Sequence, residues 1–85
     1  MITADQLKAG RALVGLKQED IARASGLSVQ TIKRMETVGT ERSSAGNVQA
    51  VQRAIEQAGV VFEAEGEMIA GGPGVRLARI PGAGG

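Results

Sequence analysis

The sequence predicts a mainly α domain in which four short helices are followed by a short C-terminal β-hairpin or strand pair. Three observations lead there. Apolar residues recur at helical spacing in successive stretches, each stretch carries its own cap or terminating glycine, and strand-like text is confined to Val60-Val61-Phe62 and to Val75 through Ile80.

The first helix opens on Thr3-x-x-Gln6, a capping-box pattern, and Leu7, Gly10, Arg11 and Val14 fall on one stripe before Gly15 ends it. Lys17 to Ser25 forms a short second helix with Ile21, Ala22 and Ala24 among polar residues, and Gly26 is its stop. Ser28 is the N-cap of a third helix, Val29 to Thr37, in which Ile32 and Met35 or Glu36 share a face and Gln30, Thr31, Lys33 and Arg34 point outward. Val38 to Ala45 is a polar loop, in which Ser44 is placed to cap the next helix. Asn47 to Ala58 is a fourth amphipathic helix on the stripe Val48, Val51, Ile55 and Ala58. Gly59 ends it. The domain division is 1–59 for the helical unit, 60–80 for the strand segment and 81–85 for a flexible tail.

Eighty-five residues make one domain with a thin core, which a partner subunit would help to stabilise. The absence of Cys excludes disulfides and thiolate metal sites, and with no His, Tyr or Trp the usual general bases and imidazole ligands are missing as well. No enzyme activity, cofactor or metal is therefore expected. No leader or membrane-length apolar run is visible, which places the expected location in the cytoplasm, associated with the nucleoid. The formal charge of +1 says little, but Lys17, Arg23, Lys33, Arg34 and Arg42 crowd one stretch, interleaved with Glu19, Asp20, Glu36 and Glu41. The glycines between Gly66 and Gly74 lack the Gly-Lys-Ser/Thr ending and strand-loop-helix setting of a phosphate loop, so they are a connector.

Two short helices joined by a tight glycine turn are the pattern of a DNA-reading unit whose second helix enters the major groove. Here Ala22 is small at the point of close approach, Gly26 permits a positive φ, and Ile21, Leu27, Ile32 and Met35 supply the buried faces. Gln at the reading helix pairs with adenine N6 and N7, Lys or Arg with guanine O6 and N7, and Val29 or the Thr31 methyl can touch a thymine methyl.

The run from Gln18 to Glu36, QEDIARASGLSVQTIKRME, resembles the phage-repressor helix-turn-helix regulators, the Cro-like or xenobiotic-response-element family, and Leu7 to Leu16 is similar to that family's first helix. The resemblance implies a compact, lambda-repressor-like four-helix fold and a sequence-specific transcriptional regulator. It implies base reading by Val29, Gln30, Thr31, Lys33 and Arg34, and phosphate contacts from Gln18, Lys17, Ser28, Thr40, Arg42 and Ser43. It further implies a structural ion pair of Arg11 with Glu36. Lys17 departs from the family's Ser or Thr cap, and Thr37-Val38-Gly39 departs from its usual end of the third helix.

The expected partner is double-stranded operator DNA, an inverted repeat bound by a homodimer, with repression as the outcome. Dimerisation is assigned to Val60, Val61, Phe62, Val75 and Leu77, because a lone two-stranded hairpin is marginal in water and pairing across subunits would extend it. One rival is an antitoxin-like autoregulator that neutralises a partner protein through its C-terminal segment. Another is a protein-interaction domain that has kept the fold without DNA binding, against which Gln18, Gln30, Lys33 and Arg34 argue. Arg76 and Arg79 read as the solvent face of the second strand.

Overall fold

The computed structural model describes residues 1–63 and 74–77. The expectations for Gly66 to Pro73, for Ala78 to Ile80 and for the 81–85 tail lie outside the described residues. The order is α1 (Ala4–Leu13), α2 (Gln18–Ser25), α3 (Val29–Val38), a 3-10 turn (Thr40–Arg42), α4 (Ala45–Gln57), β1 (Val60–Glu63) and β2 (Gly74–Leu77). The protein is mainly helical, with four helices and a short antiparallel strand pair, as the sequence predicts.

Local hydrogen bonding explains where each helix begins and ends. At α1 the capping box is complete: the Gln6 N–H donates to Thr3 Oγ1 at 3.1 Å and the Thr3 N–H to Gln6 Oε1 at 2.9 Å. The helix stops at Leu13, so Val14 is its C-cap and Gly15, at φ +68°, lies beyond it. Lys17 caps α2 without a side-chain acceptor, since an ammonium has only donors. Asp20 compensates by accepting from the Lys17 N–H at 2.8 Å. Gly26 closes α2 at φ +77°, the left-handed region where a Cβ is penalised. Ser28 accepts from the Thr31 N–H at 3.1 Å, and α3 runs one residue past the expected Thr37. Ser44 accepts from the Asn47 N–H at 3.2 Å, which starts α4 at Ala45, two residues before the expected Asn47.

The helices close on a core of Leu7, Ile21, Ile32, Met35, Val48, Val51, Ile55 and Val60, with Ile2 and Ala22 at its edges. The fourth-helix stripe needs one correction. Ala58 is exposed because α4 ends at Gln57, and Ala54, within the helix, is buried on that face instead. The second helix likewise buries Ile21 and Ala22 but leaves Ala24 exposed.

The strands are part of this core. β1 and β2 pair with Val60 opposite Leu77 and Phe62 opposite Val75, and both strands pack on α1. Val60 is buried, while Phe62 and Val75 pack against the core cluster. A Cβ at Gly10 would sit 3.0 Å from the Phe62 ring and 3.2 Å from Ile55, so the bare helix backbone at Gly10 is what admits the ring. Gln6 Nε2 donates to the Glu63 carbonyl at 2.8 Å, tying the end of β1 to the start of α1. Within one chain Val60, Phe62 and Val75 thus already cover part of the helices. Leu77 shares their side of the pair, opposite Val60. Val61 and Arg76 pair on the other side, where Arg76 is 3.4 Å from Glu63. The boundary at Gly59 therefore marks a change of secondary structure and not the edge of the core.

Among the described residues no helix is long and apolar enough to cross a membrane.

Candidate nucleic-acid interface

The second and third helices meet around Gly26, with Ile21, Ala22, Ile32 and Met35 buried between them and the rest of the core. Burying one stripe of α3 forces the opposite stripe into solvent. Gln30, Lys33 and Arg34 are exposed there, followed by Thr37 and Val38 toward the C-terminus. At ten residues α3 is about 15 Å long, and an α-helix, ~10 to 12 Å across, fits a major groove ~12 Å wide.

Thr31 and Val29 stand differently from these three. Thr31 is half-buried with its hydroxyl 2.9 Å from Ser28 Oγ, and Val29 is half-buried against the core. Both remain at the rim of the exposed face. One shallow depression is lined by Gln30, Thr31, Lys33, Arg34, Thr37 and Val38, and a second by Arg11, Lys17, Gln18, Glu19, Val29 and Lys33. Lys33 belongs to both, so the start of α2 and the outer stripe of α3 form one continuous surface.

A buried polar cluster holds α3 at this angle. Arg11 Nε and Nη2 donate to the two Glu36 carboxylate oxygens at 2.8 and 3.0 Å, a fork-on-fork geometry that fixes both side chains. Arg11 Nη1 also donates to the Leu16 carbonyl at 3.1 Å, and Gln18 Nε2 donates to Glu36 Oε1 at 3.0 Å. Glu36 is 5% exposed at its side chain, so these donors replace the water its charge has lost. One carboxylate on α3 is thereby held from α1 and from the first residue of α2. No signal in the sequence names Glu36 as the partner of Gln18, and only folding brings the two together.

The residues expected to touch phosphate separate into three groups. Lys17 and Ser28 are exposed, Gln18 is half-buried, and Lys17 and Gln18 border the depression. Arg42 is exposed and Ser43 half-buried on the turn after α3, and neither lines either depression. Thr40 is a correction. Its side chain is buried, and its hydroxyl donates to the Ile2 carbonyl at 2.6 Å, so it braces the N-terminal segment and offers nothing to a ligand.

Charge pairing sorts the cations by location. Lys8 pairs with Asp5, Arg11 with Glu36, Arg23 with Asp20 and Arg76 with Glu63. The basic side chains without an ion pair among the described residues are Lys17, Lys33, Arg34 and Arg42, on the start of α2, on α3 and on the turn after it, together with Arg53 on α4. A net charge near zero overall thus coexists with unpaired Lys17, Lys33 and Arg34 on the surface of the helix pair. That is the electrostatic footprint a polyanion requires.

A helix pair around a left-handed glycine, presenting an outward stripe of Gln, Lys and Arg beside unpaired cations, defines a DNA-binding module. The helix-turn-helix family profile matches residues 7–55, more than half of the chain. The protein belongs to this family, in its phage-repressor, Cro-like type, and is a DNA-binding transcriptional regulator. The family is a regulatory one and not a family of enzymes. No curated protein matches the chain.

Proposed function

We propose that the protein is a repressor that binds an inverted-repeat operator as a homodimer, with α3 of each subunit in a major groove. Gln30, Lys33 and Arg34 read base edges, with Val29 and the Thr31 methyl contributing apolar contact at the rim. Lys17, Gln18, Ser28, Arg42 and Ser43 take phosphate contacts that set orientation. The observation that carries this reading is the coincidence of the outward stripe of α3 with the unpaired Lys17, Lys33 and Arg34 on one continuous surface. One reading helix covers few base pairs, and two-fold pairing on half-sites ~34 to 36 Å apart supplies the missing discrimination. With Val60, Phe62 and Val75 packed inward, the subunit contact falls to Val61 and the outer side of the strand pair. Occupancy at a promoter blocks polymerase, which favours repression.

Selection of bound fragments from random DNA tests the reading directly, and an enriched inverted repeat is the expected result. Recovery of unrelated fragments, or of single half-sites by a protein that sediments as a monomer, would count against the operator-binding dimer. On the selected site, Gln30→Ala is expected to relax preference at one base-pair position per half-site at a cost of about 1 to 3 kcal/mol. A uniform loss over all sequences, measured by anisotropy titration at fixed salt, would remove Gln30 from base reading.

A further inference from the structure

Most carboxylates of the described chain are engaged. Asp20 accepts from the Lys17 N–H and lies 3.8 Å from Arg23; Asp5, Glu36 and Glu63 have ion-pair partners; Glu56 accepts from Gln52. Glu41 folds against Gly39, with its carboxylate 2.6 to 3.1 Å from the point a Cβ would occupy there. Glu19 is different. Like Glu41 it is exposed and has neither an ion pair nor a hydrogen bond among the described residues, but unlike Glu41 it lines the same depression as Lys17 and Lys33. An unpartnered negative charge is thereby built into the surface that collects unpaired positive charge.

We propose that Glu19 limits the affinity of this interface for the DNA backbone. This rests on the DNA-binding reading of the same surface and adds a residue that opposes it. A carboxylate on the same depression as Lys17 and Lys33 lowers the local positive potential and repels phosphate, and neither effect depends on base sequence. Weak backbone affinity is useful to a regulator, because the roughly 10⁶ to 10⁹ non-specific sites of a genome compete with its operator.

The test uses the full chain and a random-sequence duplex, with binding followed by anisotropy over a salt series. Glu19→Gln is expected to bind the duplex about threefold or more tighter at low salt, with the advantage fading as screening shortens the range of the lost repulsion. Its log affinity should fall more steeply with log salt, by up to about one unit of slope. Glu19→Asp keeps the charge and should behave as the unmodified chain, and the gain from Glu19→Gln should shrink in a Lys33→Gln background. Melting curves verify that each variant is folded, and Glu19→Ala is a second neutral variant with the same expected gain. Unchanged or weaker duplex binding by folded neutral variants overturns the proposal. So does a loss confined to the selected operator, which would make Glu19 an acceptor for a cytosine amino group. If the unmodified chain binds no duplex, the DNA-binding reading falls and this one with it; binding that no Glu19 variant alters overturns this proposal alone.

Discussion

Ending the chain after Gly59 is expected to unfold much of the population instead of releasing a folded monomer. The cut removes Val60, which is 2% exposed, and the Phe62 ring seated on Gly10 beside Ile55. Full burial of a side chain of this size contributes ~1.5 to 3 kcal/mol, and the half-buried Phe62 and Val75, both lost with Val60, together add a comparable amount, so the cut removes about 3 to 6 kcal/mol. Small domains have ~5 to 15 kcal/mol in total. The cut also takes away the Glu63 carbonyl that accepts from Gln6. Thermal melts followed by circular dichroism should show the midpoint lowered by more than about 12 °C, or no cooperative transition. A truncated chain melting within about 4 °C of the full one would show that the strand pair contributes little to the core.

The second large effect is expected at Arg11. Its replacement by Ala leaves Glu36 buried with Gln18 as its side-chain donor, and loss of one member of such a pair costs about 3 kcal/mol or more. Glu36→Ala strands the guanidinium less severely, because Arg11 also donates to the Leu16 carbonyl and its side chain is 25% exposed. The double variant should be more stable than the sum of the two single losses predicts, by about 1 kcal/mol or more. Denaturant titrations of the three variants measure this, and strictly additive losses would sink the idea of a coupled pair. Sequence preference on DNA should survive Arg11→Ala even as the population of folded protein falls, since Arg11 touches α3 through Glu36 and not through the outward stripe.

Apart from the Arg11–Glu36 pair, which the family resemblance supplied, what sequence reading reached and what it missed divide along the distance between partners. The Thr3–Gln6 box, the Ser28 and Ser44 caps and the Gly26 stop are contacts within a few residues, so their chemistry is written in the local text. The outward stripe of α3 follows from the period of Ile32, Met35 and Glu36 against it. The misses are long-range. Nothing near Thr40 announces that its hydroxyl meets Ile2, and an exposed threonine in a polar loop reads the same as a buried one. Strand text at Val60 to Phe62 looks like a free hairpin until Gly10 is known to lie under the Phe62 ring. The place of Glu19 on the cation-bearing depression becomes visible only once the other carboxylates of the described residues have been located.

The two long-range bonds at the front of the chain carry a dynamical consequence. Ile2 is held by Thr40, just past α3, and Gln6 is held by the end of β1, so contacts separated by 38 and 57 residues converge on the start of α1 and the residues just before it. Fraying at the amino end cannot then proceed by itself, since it must also release the turn after the third helix and the strand that closes the core. In amide-exchange terms, the protons of α1 and β1 are expected to exchange through a shared opening, better protected than the low-energy fluctuations common at chain ends. The outer stripe of α3 borders that unit, so its side chains can rearrange on a duplex while the backbone beneath them stays closed.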